Sequence, residues 1–166
     1  MIDTNPFSHC ECRRMGNPHA LCKSELTLEE QGKKVCLSLH GGEEAKVLVL
    51  DGCVFTDNNT KCDALYLYKS RNRKIAALVE LKGAGDIPHA FEQLAYTKRQ
   101  RPEYAQLKNQ LDQSGPGTLF EKSFIVTNGM LSKPEFERLE NQHNIHVSAV
   151  LHSEPGKKIP DLREWF

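Results

Sequence analysis

Two short apolar runs joined by a wholly polar segment limit what this chain can become. Lys61-Cys-Asp-Ala-Leu-Tyr-Leu-Tyr68 and Ile75-Ala-Ala-Leu-Val-Glu-Leu-Lys-Gly83 flank Lys69-Ser-Arg-Asn-Arg-Lys74. Runs this short, rich in Leu, Val and Tyr, predict a hairpin of two buried strands. Asp63, Glu80 and Lys82 lie inside or at the ends of these runs. A buried charge is costly unless it is paired or holds a metal, so each needs a reason to be there. With the turn centred between Arg71 and Asn72, Asp63 faces Glu80, Leu65 faces Leu78 and Leu67 faces Ala76; a bulged turn would shift that register. Directly opposed side chains leave the same face with Cβ atoms roughly 5 Å apart. Lys82, two residues on, shares that face about 7 Å further along. Two carboxylates that close repel each other when ionised unless a cation sits between them.

At these residues the chain resembles the PD-(D/E)xK nuclease superfamily, which has the restriction-endonuclease-like fold. The matching pattern is Asp63, sixteen residues, then Glu80-Leu81-Lys82, with Cys62 where the motif has its proline. Gln93-Leu-Ala-Tyr96 is similar to a Gln/Tyr element that some members carry on the following helix. The resemblance implies that Asp63 and Glu80 bind Mg²⁺ or Mn²⁺, with the Leu81 carbonyl as a further ligand. It implies that Lys82 orients or activates the attacking water and that Gln93 helps position water or phosphate. The resemblance also implies a further acidic ligand from a first helix, for which Glu30 and Glu29 are the candidates. The structural alternative is an ordinary strand-end ion pair of Glu80 with Lys82, and a solvent-facing Asp63.

Elsewhere the pattern alternates between the two periods. Thr27-Leu-Glu-Glu30 is a capping box that predicts a short helix ending at Gly32. Val35–Leu39 and Ala45–Leu50 read as strands joined by a turn at His40–Glu43. Asp86 and Pro88 open a helix to about Gln100 with Ala90, Phe91, Leu94 and Ala95 inward. Pro102 opens another, with Tyr104, Leu107 and Leu111 on one face, that ends at Ser114–Gly117. Ser123–Thr127 is a buried strand, Ser132–Glu135 caps a further helix with Phe136 and Leu139 inward, and Ile145–Leu151 alternates as a last strand. His89 reads as a solvent-facing residue, and Trp165 as an aromatic for the core or a partner. The order predicts a single α/β domain over 25–166, a mixed sheet flanked by helices, behind an irregular Cys/His-containing arm over 1–24.

That arm holds His9-Cys-Glu-Cys12 and His19-Ala-Leu-Cys22. Nothing at the N-terminus has the basic and apolar regions of an export signal, so the cytoplasm and reduced thiols are expected. Cys10, Cys12, His19 and Cys22 then form a Cys₃His set of the kind that binds Zn²⁺. Their spacing matches no known knuckle, and free thiols on a flexible arm are the favoured alternative. Cys36, Cys53 and Cys62 read as small core residues.

Lys plus Arg equals Asp plus Glu at 22 each, a net charge of zero. A dedicated nucleic-acid binder is usually basic, which points to a protein partner or homodimer that supplies binding. Local basic runs remain at Lys69–Lys74 and Lys98–Arg101. No stretch approaches the ~20 apolar residues of a membrane span. The resemblance therefore implies a Mg²⁺- or Mn²⁺-dependent nuclease acting on nucleic acid, DNA in preference to RNA, in prokaryotic or phage defence or DNA processing. The alternatives are an inactive module of the same fold that binds a protein or nucleic-acid partner, and a zinc-stabilised structural subunit.

Overall fold

In the computed structural model, which describes all 166 residues, the elements follow in the order β1 (Thr27–Glu30), β2 (Lys33–Cys36), β3 (Glu44–Val49), β4 (Ala64–Lys69), β5 (Arg73–Lys82), α1 (Ile87–Gln100), α2 (Pro102–Asp112), β6 (Thr118–Thr127), α3 (Lys133–His143) and β7 (Ala149–His152). Five strands make one mixed sheet in the order β3-β4-β5-β6-β7. The first three are antiparallel, and β6 and β7 run parallel to β5. Parallel neighbours need a crossover, and α1 with α2 supplies one while α3 supplies the other. The β4–β5 register is the expected one, with Leu65 opposite Leu78 and Leu67 opposite Ala76.

The central strands are apolar along almost their whole length because both faces of the sheet are covered. Leu65, Leu67, Ala76, Leu78 and Ile125 pack beneath Phe91, Leu94, Tyr104 and Leu107 of the helices. Tyr66, Ile75, Val79, Phe124 and Val126 point the other way, onto Leu28, Val35 and Leu162, with Trp165 and Phe166 packed against them. Burying each such side chain contributes about 1.5–3 kcal/mol. The Tyr66 hydroxyl donates to the Leu26 carbonyl at 3.1 Å, which fastens the β1–β2 layer to the sheet. Trp165 docks on the core, edge-on to Phe124 with ring centroids 6.3 Å apart.

Several expectations need correction. Residues Thr27–Glu30 form a strand, not a helix, and pair antiparallel with Lys33–Cys36 as a separate two-stranded sheet. The turn between them places Gln31 and Gly32 at φ of 50° and 79°, the left-handed pair that fits a two-residue hairpin. Strand β2 therefore does not return into β3. β7 is confined to Ala149–His152, while Ile145 and Val147 are buried in the loop before it. The arm is fastened to the fold: the Cys12 N–H donates to the Val47 carbonyl at 2.8 Å, and Ile2 and Cys10 lie in the helix-side core.

Candidate active site

At Asp63 the chain bends away from β5, and its carbonyl accepts the N–H of Leu50 at 2.9 Å. The β4–β5 ladder stops at Ala64 opposite Val79, while β5 itself continues to Lys82 along β6. Leu81 thus has an N–H with no main-chain partner on β4. The Asp63 carboxylate takes that place, its Oδ2 accepting the Leu81 N–H at 2.9 Å. Reciprocally, the Asp63 N–H donates to Glu80 Oε1 at 2.9 Å. Lys82 Nζ lies 3.2 Å from Glu80 Oε2 and 3.8 Å from the Asp86 carboxylate. Glu80 is 2% exposed. The sequence-predicted Asp63, Glu80 and Lys82 therefore converge.

Burial sets the electrostatics. It drives the Glu80 carboxyl well above the usual range; the charge of Asp63 adds to this and the Lys82 ammonium opposes it. Burial also pushes Asp63 up to about 6; the Leu81 N–H pulls down, while Glu30 pushes further up. Both carboxyls are thus raised by burial, and the Lys82 ammonium, in contact with Glu80, opposes the shift. Negative charge here is held at a cost that a divalent cation would relieve. The donors are all oxygen, which suits a hard ion such as Mg²⁺ or Mn²⁺. In a strand the N–H and C=O of one residue point the same way, so the Leu81 carbonyl turns to the side on which Asp63 sits.

Asp63 opens onto a cleft of about 270 Å³ whose other walls include Glu30, Asp51 and His19. Glu30 reaches it from the end of β1, so the acidic candidate is on the cleft although its predicted helix is a strand. His19, expected as a zinc ligand of the arm, lies on this cleft instead, and Asp51 joins it without having been expected there; its position directly after the β3 run was the available signal. Gln93 stands on α1 and donates from Nε2 to the Lys61 carbonyl at 3.0 Å, while its Oε1 is buried without a protein partner. It holds the segment that carries Asp63 and does not bond Glu80 or Lys82. Thr97, one turn on, accepts the Cys62 N–H at 3.1 Å and donates to the Gln93 carbonyl at 2.8 Å. Tyr96 lies 5.8 Å from the Arg101 guanidinium, away from the carboxylates. His89 is exposed and meets Glu92 at 3.2 Å.

Neither expectation for the arm, the Cys₃His zinc set or free thiols, survives as stated. Cys12 is bonded to Cys22, and Cys10 is bonded to Cys53 of the loop after β3. Paired sulfurs are neither zinc thiolates nor free thiols, and His19 faces the cleft instead of joining them. Cys53 is therefore not a simple core residue, while Cys62 is buried and free. Two bridges are what an oxidising environment sustains, whereas the cytoplasmic expectation assumed reduced thiols. No helix is long and apolar enough to cross a membrane.

Comparison with family models, curated proteins and solved structures finds no match to this chain.

Two members of the basic runs, Lys74 and Arg101, are spent inside the fold, while Arg71, Arg73, Lys98 and Arg99 stay exposed. Lys74 is 2% exposed and donates to the Asp112 and Gly115 carbonyls. Arg101 is 5% exposed, with two bonds to the Asp57 carboxylate at 2.7 and 2.9 Å and two more to the carbonyls of Asn59 and Thr60. Lys69 bonds the Ser114 carbonyl and Arg99 that of His143.

Proposed function

We propose that the chain is a metal-dependent nuclease of the PD-(D/E)xK type, built on a restriction-endonuclease-like fold. The observation that carries this reading is the crossed bonding of Asp63 with Glu80 and Leu81, with Lys82 held against Glu80. A five-stranded sheet that changes from antiparallel to parallel at β5 supports the fold assignment.

Phosphodiester hydrolysis requires charge neutralised on the phosphate, a water made nucleophilic and a stabilised leaving oxygen. A bound Mg²⁺ or Mn²⁺ supplies Lewis acidity and an acidified water. Asp63 and Glu80 would hold that ion, with the Leu81 carbonyl as a third donor and Glu30 as an additional acidic group on the cleft. Lys82 keeps an ammonium beside the carboxylates, where it orients the attacking water and the scissile phosphate. Gln93 acts through position, fixing Lys61 and so the run that carries Asp63.

The substrate class is nucleic acid, DNA in preference to RNA, with defence or DNA processing in a prokaryote or phage as the setting the resemblance suggests. Zero net charge, with Lys74 and Arg101 consumed internally, favours a protein partner or second copy that supplies the binding surface. The same observation favours the second reading, an inactive module of this fold that binds a partner.

Lys82→Ala separates the two. In the nuclease it lowers cleavage on the order of 100-fold or more while fold and metal binding persist. Lys82→Arg does not restore activity, because a planar guanidinium does not replace a compact ammonium. The comparison is made in the assembled complex or through toxicity or protection in cells. If Lys82→Ala, Glu80→Gln and wild type behave alike there, the module reading takes over.

A further inference from the structure

A second cluster of metal-ligating groups stands apart from the carboxylates. The imidazole of His9 and the sulfurs of Cys10 and Cys53 lie within 4.8 Å of one another. His9 is exposed, Cys53 half-buried and Cys10 fully buried. Two of these groups are spent on the Cys10–Cys53 bridge. The chain around them is held by bonds that do not depend on that bridge. The Cys10 N–H donates to the Phe7 carbonyl at 2.9 Å, and Glu11 pairs with Leu48 at the edge of β3. On the other side, the N–H groups of Cys53 and Phe55 both reach the Leu50 carbonyl, at 3.2 and 2.8 Å. Opening the bridge therefore leaves the two sulfurs and the imidazole close together.

We propose that Cys10–Cys53 is one of two interchangeable forms of the same staple, and that on reduction His9, Cys10 and Cys53 bind a zinc ion. Reduction by glutathione or a small dithiol adds two electrons and two protons, breaks the S–S bond and leaves two thiols. Zinc binding then displaces one proton from each thiol to water and forms two Zn–S bonds and one Zn–N bond to neutral imidazole. With Zn–S bonds of about 2.3 Å and Zn–N bonds of about 2.0 Å, tetrahedral coordination puts ligand atoms roughly 3.5–3.8 Å apart; the sulfurs, bonded to each other in the bridge, separate to that spacing on reduction, with the imidazole already within 4.8 Å of both. Two thiolates cancel the charge of Zn²⁺, so the assembly is neutral and suits a site where one sulfur has no solvent exposure. The fourth position falls to water. The Cys12–Cys22 pair has no third ligand within such reach, and it stays a plain dithiol when reduced. The arm is thus joined to the loop after β3 under oxidising conditions by sulfur and under reducing conditions by metal. This inference does not depend on the nuclease reading, whose oxygen donors are different residues.

The experiment titrates Zn²⁺, and Co²⁺ as a spectroscopic reporter, into full-length protein. The protein carries Cys12→Ser and Cys22→Ser and is reduced with a phosphine that does not bind the metals. The expected result is one equivalent bound per chain, with thiolate-to-cobalt charge-transfer bands. Affinity should fall about 10-fold or more in His9→Ala, and binding should vanish in Cys10→Ser/Cys53→Ser and in oxidised protein. Unaltered affinity in His9→Ala, persistence in the double serine variant, or no binding by reduced protein overturns the proposal. Should the Cys12/Cys22 variant fail to fold, reduced wild type is alkylated with and without Zn²⁺. Selective protection of Cys10 and Cys53 is the supporting outcome, and equal labelling of Cys10, Cys12, Cys22 and Cys53 with and without the metal the refuting one.

Discussion

The Asp63 N–H donates to the Glu80 carboxylate, and the Asp63 carboxylate accepts the N–H of Leu81, the residue after Glu80, both at 2.9 Å. Each side chain therefore has a structural duty beside any chemical one, and truncating either leaves a main-chain donor without its acceptor. Isosteric amides keep an acceptor oxygen and lose the charge, so they separate the two duties.

Mn²⁺ titrated calorimetrically into the chain should bind, and Asp63→Asn or Glu80→Gln should each weaken that binding about 10-fold or more while the fold is kept. Asp63→Ala should additionally lose about 1–3 kcal/mol of stability, because the Leu81 N–H is left unsatisfied. Unchanged Mn²⁺ affinity in both amide variants would remove these carboxylates as ligands.

Stability should peak at mildly acidic pH when divalent ions are chelated. Asp57 and Glu43 are lowered to about 2 by hydrogen bonds from Arg101 and Arg163. The folded chain releases their protons before the unfolded chain does, so their stabilisation is present above the ordinary carboxylate pKa and is lost as pH falls towards 2. Asp63 behaves oppositely. Its carboxyl titrates near 6 against an ordinary 3.8, so between those values the folded chain holds the extra proton and stability falls as pH rises. Glu80, also raised by burial, adds to this upper limb. Thermal melts should show both limbs, Asp63→Asn should shrink the upper one, and Asp63→Asn/Glu80→Gln should flatten it; an upper slope that persists in the double variant assigns it to another group.

Much of this was legible in the sequence wherever the deciding contacts are local. The hairpin register follows from apolar runs placed evenly about Lys69–Lys74, and α3 from Ser132, whose hydroxyl accepts the Glu135 N–H at 3.3 Å. Thr27–Glu30 misleads because a capping box is a local signal. What decides it is the burial of Leu28 against Val35 across the next turn. Asp86 precedes α1 as expected, yet its carboxylate turns back to Lys82 and makes no cap. Lys74 and Arg101 read as surface charges since their acidic partners, Asp112 and Asp57, are 38 and 44 residues away. Cysteine pairing is equally non-local: Cys53 is 43 residues from Cys10.

Arg101 should prove a stability residue, not a nucleic-acid contact. Its guanidinium lies 4.4 Å from the Phe55 ring centroid while it fixes the 57–60 loop that leads to Asp63. Arg101→Ala should lower Tm by on the order of 5 °C or more, and Arg101→Lys should recover little, since one ammonium cannot make the forked contact. Lys98→Ala, on the exposed face of α1, should leave Tm nearly unchanged. Equal melts for the Arg101 and Lys98 variants would contradict this assignment.

Gly129 should be intolerant of any side chain. A Cβ there would lie 2.7 Å from the Ala84 Cα and 2.8 Å from its Cβ, where the loops after β5 and β6 touch. Gly129→Ala should therefore cost about 1–3 kcal/mol by forcing those loops apart. As Ala84 follows Lys82 by two residues, Mn²⁺ affinity should fall with it. Denaturant melts and the same calorimetry check both effects.

The two walls of the Asp63 cleft differ in kind. One is sheet, and the other, the stretch around His19, belongs to a covalent ring closed by Cys12 and Cys22. That ring is pinned where the Cys12 N–H meets Val47 and where the Glu29 N–H meets Leu21, at 2.8 and 2.9 Å. A segment tethered at both ends sweeps a short arc, with little entropy left to surrender when it meets a ligand. The aperture of the cleft is thus fixed by topology, and admission depends on the shape of what arrives more than on the swing of a lid.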